Sequence, residues 1–205
     1  MQKELSLEKN RTADRKNTLF TVFVLVVIAL AVLRIAFNVT YVKVYVVGYS
    51  MESTLTGVPD ARYRGGDYVY AFRDHNPRHG DIVVVKTDEK PIIKRVVALG
   101  GDSVELREGV LYLNDKVKEE PYVLAENNTP SENNYNKVKV PQGYMFCLGD
   151  NRNVSVDSRS EKYGFISLNN IIGIVADWSM SCKSTLTAIN TFFDYTVPEA
   201  FGFKK

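Results

Sequence analysis

The sequence predicts a mostly β domain of antiparallel sheets behind one N-terminal transmembrane helix. Three observations lead there. Residues Thr18 to Asn38 form a run of 21 residues with a single charge, Arg34. After Asn38, short β-branched runs alternate with turn signals, a spacing that marks strands. The chain has 205 residues, 45% apolar and 24% charged, which leaves room for one domain of about 150 to 170 residues beside an appendage. That composition excludes a disordered, collagen-like or disulfide-dense chain.

The first 17 residues hold five basic and three acidic side chains, so the whole net charge of +2 resides there. The other 188 residues carry 21 charges of each sign. They lack the basic surplus that neutralises nucleic-acid phosphates, so no nucleic-acid partner is expected. A helix over residues 18–38 would be roughly 31 Å long, about the hydrocarbon thickness of a bilayer. Arg34 lies near its far end, where the guanidinium can reach the headgroups. Basic residues before a span favour a cytoplasmic N-terminus. Residues 1–17 are therefore a cytoplasmic tail, 18–38 a single-pass anchor in cell-membrane lipid, and 39–205 an extracytoplasmic β domain. Two alternatives compete. Ala29-Leu30-Ala31 resembles a leader-cleavage site, but the apolar run continues beyond it. A buried core helix would need an apolar pocket on all sides, which a domain of this size rarely offers.

Strands are expected at Val42 to Val47, Asp67 to Phe72, Asp81 to Lys86, Pro91 to Ala98, Ser103 to Arg107, Val110 to Leu113, Gly143 to Leu148 and Ile171 to Trp178. Glu108-Gly109 and Asn114-Asp115 read as hairpin turns. Residues 124–140, rich in Asn, Pro and Glu, read as a loop or short insertion. The aromatics between Leu186 and Phe203, broken by Asp194 and Pro198, fit a surface helix, a headgroup contact or plain packing. Cys147 and Cys182 lie in apolar runs and are expected to be buried and free rather than bridged. His75 and His79 share one turn with no Cys or His cluster near it, so a zinc site is not expected.

Three segments carry candidate chemistry: Gly48 to Leu55, Ile92 to Asp102, and Gly149 to Arg159. Ser50 follows a strand directly, so its hydroxyl can stand at a strand end beside backbone N–H groups. Lys94 interrupts an apolar strand, and alternation puts it on one face with Ile92 and Val96. A lysine among aliphatic side chains is penalised in its charged form and becomes a base near neutral pH. A neutral amine within reach of a serine hydroxyl makes a nucleophile and base pair without histidine. Taken singly, Lys94 also fits a gatekeeper charge on an edge strand and Ser50 a turn-forming serine.

Together and in this order, behind an N-terminal anchor, these segments resemble the bacterial type I signal peptidases, especially the short Gram-positive kind. The similarity runs from residue 18 to about 180. Ser50-Met51 followed by Thr54-Leu55 carries it, as do Lys94-Arg95 before Gly101-Asp102 and the run Gly149-Asp150-Asn151-Arg152 followed by Ser155, Asp157, Ser158 and Arg159.

The resemblance implies a signal-peptidase-like β catalytic domain and a serine endopeptidase that removes signal peptides from exported preproteins after Ala-x-Ala. It makes Ser50 the nucleophile, Lys94 the general base, and Ser155 a hydroxyl that orients the lysine. Arg95, Asp157 and Arg159 become a supporting charge network, and the Ser50 N–H half of an oxyanion hole. An extended substrate would add beside Ile92 and Ile93 and beside Val44 to Gly48. Val44, Val46, Met51, Leu55 and Ile93 are the candidate pocket walls, with core packing as their alternative. A Ser-Lys mechanism implies neither metal nor cofactor.

Three departures stand out. Gly48 sits where many Gram-negative members have a serine that helps form the oxyanion hole. Ser53 and Gly100 replace prolines. These leave open a specialised relative, such as a pilus assembly factor or chaperone whose partners are pilin subunits. The self-cleaving LexA-type repressors also use Ser-Lys, but they lack the anchor.

Overall fold

The structure, a computed structural model, describes residues 2–196. Pro198, Phe201 and Phe203 of the expected C-terminal aromatic stretch lie outside the described residues. The chain divides into two compact units, residues 1–40 and residues 41–205. The first is a helix, α1 (Gln2–Thr40). Its stretch Arg15–Thr40 has a mean hydropathy of 2.8 and is long and apolar enough to cross a membrane. The expected anchor at 18–38 falls inside it, and the helix continues in both directions because no Pro or Gly interrupts residues 2–40.

The second unit holds two antiparallel sheets. The larger contains β1 (Tyr41–Tyr45), β2 (Tyr68–Phe72), β3 (Ile82–Val85), β4 (Ile92–Leu99), β9 (Tyr144–Leu148), β10 (Ile166–Ser167) and β11 (Ile171–Val175), in the order β1-β2-β11-β3-β4-β9-β10. The smaller, inserted between β4 and β9, contains β5 (Ser103–Arg107), β6 (Val110–Leu113), β7 (Lys116–Val117) and β8 (Tyr135–Lys139), in the order β7-β6-β5-β8. All eight expected strands are present, β5 and β6 with the expected ends and the others with ends shifted by at most three residues. The two expected turns are tight hairpins with positive φ at all four positions: Glu108 at 47°, Gly109 at 77°, Asn114 at 52° and Asp115 at 65°.

The strands that read as continuous apolar runs are central. All four residues of β3 are buried, and so is the interior of β4. Strand alternation then separates two cores. On one face Ile82, Val84 and Ile93 pack with Val46, Met51, Leu55 and Val69. On the other, Val83, Val85 and Val96 pack with Met145, Cys147 and Ile171. A third cluster, including Val97, Phe146, Val104 and Leu111, joins the two sheets.

Three expectations need correction. The segment 124–140 is not all loop, because Tyr135–Lys139 pairs with β5. Only Tyr135 and Val138 of that strand are partly buried, while its lysines face water, so it carries the polarity of an edge strand. The strand expected to reach Trp178 stops at Val175, and Asp177–Ser181 forms a short helix, α2. With α3 (Lys183–Thr191), it covers the part of β2 that β11 leaves open. Ser179 Oγ accepts from Tyr70 N–H at 2.6 Å, and Thr187 Oγ1 accepts from Tyr68 N–H at 2.9 Å. Backbone donors that would otherwise be orphaned are thereby satisfied. Cys147 is buried and Cys182 exposed, and both thiols are free. Cys182 departs from the expected burial because it caps the junction of α2 and α3.

Candidate active site

Past β1 the chain makes a sharp turn. Gly48 takes φ +86°, which glycine adopts without steric cost. Ser50 begins a compact turn closed by hydrogen bonds from Thr54 N–H and Leu55 N–H to Met51 O. Met51 and Leu55, each 1% exposed, anchor that turn in the core. Ser50 is left at the rim, and its Oγ lies 2.6 Å from Lys94 Nζ.

Lys94 is buried, with 4% exposure. In register it faces Val83 across β3, and on its own strand it shares a face with Ile92 and Val96. Its ammonium has one further partner, Ile93 O at 3.0 Å. Burial lowers its pKa from 10.5 to about 8, while Asp157 and Asp150 pull it back up and Arg159 adds to the lowering. A substantial fraction of neutral amine is thus available just above neutrality, in contact with a hydroxyl.

The segment Gly149–Arg159 fastens the pair from the other side. Asn151 N–H donates to Ser50 O at 3.0 Å, and Gly149 N–H donates to Asp157 Oδ2 at 3.0 Å. No side chain fits at Gly149, since a Cβ there would run into Ser155 Oγ and Ser50 O. Asp157 is fully buried and doubly bonded by Arg159, Nε to Oδ1 at 2.8 Å and Nη2 to Oδ2 at 2.9 Å. Arg95 projects to the face opposite Lys94 and grips Asp150 in the same two-pronged way, at 2.8 and 2.6 Å. Thr54 Oγ1 donates to Asp150 Oδ2 at 2.5 Å. Arg159 with Asp157 and Arg95 with Asp150 are thus two separate ion pairs beside the Ser50–Lys94 contact. Asp150 and Thr54, to which the sequence assigns no role, complete the second of them.

The other expected site residues are placed as follows. Ser155 Oγ is buried with no hydrogen-bond partner among the described residues. It abuts Gly149 rather than orienting the ammonium, whose bonds go to Ser50 and Ile93. Gly48 N–H is committed to Val58 O at 2.7 Å and so is not a second oxyanion donor, whereas Ser50 N–H donates to no other described residue. Val46, Met51 and Leu55 are each 1% exposed and Ile93 8%, so they are core residues in this state. Val44 is partly buried against them.

A strand edge is open beside the pair. The β4–β9 ladder begins at Arg95↔Leu148, leaving Ile92, Ile93 and Lys94 without a strand partner on that side. On their other side they pair with β3. β1 forms one edge of the same sheet.

A serine and a buried lysine in hydrogen-bond contact, beside a stretch of β4 that lacks a strand partner among the described residues, supply the two groups that a histidine-free acyl transfer needs. The family described as "Signal peptidase, peptidase S26" matches residues 17–178. Signal peptidase I of Bacillus licheniformis is 34% identical over 168 residues, covering 75% of this chain and 85% of the relative. Signal peptidase I U of Bacillus subtilis is 32% identical over 179 residues, covering 80% and 90%. A crystal structure of a signal peptidase I from Enterococcus faecalis is similar at 30% identity and a TM-score of 0.43, over 49% of this chain and 97% of that one. The chain belongs to the S26 signal peptidase family. It is accordingly a serine-type signal peptidase, acting on preproteins that bear signal peptides.

Proposed function

We propose that this protein is a membrane-anchored endopeptidase in which Ser50 is the nucleophile and Lys94 the general base, cutting exported preproteins after Ala-x-Ala. The observation that carries this reading is the 2.6 Å contact between Ser50 Oγ and the buried Lys94 Nζ.

The neutral amine takes the Ser50 proton as Oγ attacks the scissile carbonyl carbon. The carbonyl oxygen becomes an oxyanion, which Ser50 N–H is free to stabilise. Collapse of this intermediate breaks the C–N bond, and the Lys94 ammonium returns its proton to the departing amine of the mature protein. Lys94, neutral again, deprotonates the water that attacks the acyl-serine, then gives that proton back to Ser50 Oγ. The substrate backbone pairs with the open edge at Ile92 to Lys94. Val44 and Ile93 are the best placed of the candidate walls to meet its small side chains. α1 tethers the enzyme to the bilayer that holds the substrate, which raises their effective concentration. The basic residues of the tail favour a cytoplasmic N-terminus, with cleavage at the outer surface.

The test uses the full chain in detergent with a preprotein carrying an Ala-x-Ala site, comparing wild type, Ser50→Ala and Lys94→Met. Wild type cuts after the second small residue, and both variants lose at least about a thousandfold in kcat. Undiminished cutting by Ser50→Ala removes the nucleophile assignment.

A further inference from the structure

Glu120 and Tyr122 come from the stretch after β7, remote in sequence from all three site segments, yet they touch each of them. Ser53 Oγ, in the nucleophile turn, donates to Tyr122 O at 2.5 Å. The Arg95 guanidinium, beside the base on β4, lies 3.8 Å over the Tyr122 ring. Arg152, in the Gly149–Arg159 segment, donates from Nη2 to Glu120 Oε1 at 2.6 Å, and Tyr122 OH donates to the same oxygen at 2.8 Å. The Arg152 side chain is fully buried and that of Glu120 is 7% exposed, so water competes little for these bonds. Such convergence exceeds what anchoring a loop requires.

We propose that Glu120 and Tyr122 are positioning residues that hold the Ser50 turn, the Lys94 strand and the Gly149–Arg159 segment in their reactive register. This role rests on the cleavage reading above and is transmitted along the bonds. The Tyr122 ring packs on Arg95, Arg95 grips Asp150, and the next residue, Asn151, donates to Ser50 O. Glu120 orders Arg152, whose Nε donates to Gly149 O at 3.1 Å. Ser53 supplies a third tie under strain, for its φ of +90° is one that L residues rarely adopt. A proline, locked near −65°, could not take it. This chain therefore holds the turn by a hydrogen bond to the clamp where a ring would otherwise stiffen it.

The full-length enzyme in detergent, assayed on the Ala-x-Ala preprotein, provides the test, with wild type, Tyr122→Leu and Tyr122→Phe compared. Tyr122→Leu lowers kcat by about tenfold or more, since small misplacements of reacting groups are costly, while KM stays within about twofold. The acidic limb of its pH profile moves to higher pH as water reaches Lys94 and restores the solvation that burial removed. Tyr122→Phe keeps the ring under Arg95 and recovers kcat to within about threefold of wild type. Amide exchange at Asn151, which needs no activity, is faster in Tyr122→Leu than in wild type. A Tyr122→Leu enzyme with wild-type kcat, pH limb and Asn151 exchange, even with a lowered Tm, overturns the proposal. Should that variant not fold, Glu120→Gln, which keeps the volume and removes the charge facing Arg152, is read by the same criteria. A wild type that cuts nothing sinks the cleavage reading, while the exchange comparison still decides the clamp.

Discussion

Lys94 is the residue on which chemistry and stability pull in opposite directions. Its base form exists near neutral pH only because the fold denies the ammonium its water. With a folded pKa of about 8 against 10.5 in the open chain, the unfolded state binds the proton more tightly. Stability therefore rises as pH climbs from about 8 towards 10.5, and below 8 the whole penalty, about 3 kcal/mol, is in force. Lys94→Met removes that penalty and leaves Ser50 without its partner, so at pH 7 it is expected to gain about 2 kcal/mol. The gain shrinks as pH is raised through 8, which urea unfolding at pH 7 and pH 10 measures. In the proposed mechanism catalysis also needs the neutral amine. kcat/KM is expected to rise with an apparent pKa of about 8, read from a pH–rate profile. The depressed lysine was legible in the sequence because Lys94 and Arg95, adjacent in an otherwise apolar strand, must face opposite sides, which puts Lys94 with Ile92 and Val96. The fate of the Ser155 hydroxyl was not, since its position depends on the close approach of Gly149 and Ser50.

Among the elements, strands with continuous apolar character were legible to within a few residues, because burial on both faces leaves a signature that needs no partner to recognise. Short or polar edges were not. β10 has two residues, and β8 turns only two side chains inward, so neither has a pattern to read. Of the helices over β2, α3 overlaps the stretch from Leu186 that fits a surface helix, while α2 was read as strand because it meets β2 through the Ser179 hydroxyl rather than an apolar stripe. The Gly149–Arg159 segment behaves as an element in its own right, built around a glycine that must lack a side chain. Gly149→Ala forces apart Ser155 and Ser50. It is expected to lower kcat about a hundredfold while costing only about 1 to 3 kcal/mol in unfolding free energy. Parallel kinetic and denaturation measurements separate the two effects.

For the molecule as a whole, the division at Thr40 and Tyr41 separates a helix suited to lipid from a domain with its own cores. Residues 41–205 alone are expected to unfold cooperatively and to cut a detergent-soluble preprotein with kcat close to that of the full chain. On preprotein embedded in vesicles they are expected to fall behind it by about a hundredfold or more, as tethering is lost. Circular dichroism melts and vesicle cleavage assays check both. The site itself was legible in part. Local motifs reveal the residues within each segment, whereas Glu120 and Tyr122, drawn in by the tertiary fold from another stretch, carry no local pattern to betray them. If substrate pairs with β4 as proposed, the stretch of β4 beyond the β4–β9 ladder also governs choice of cargo. A peptide that completes the sheet there becomes a guest strand whose successive side chains point alternately toward the protein and toward solvent. The enzyme can then be strict about every second position while remaining indifferent to the one between, so a single protease can serve many unrelated leaders that share little beyond their cadence.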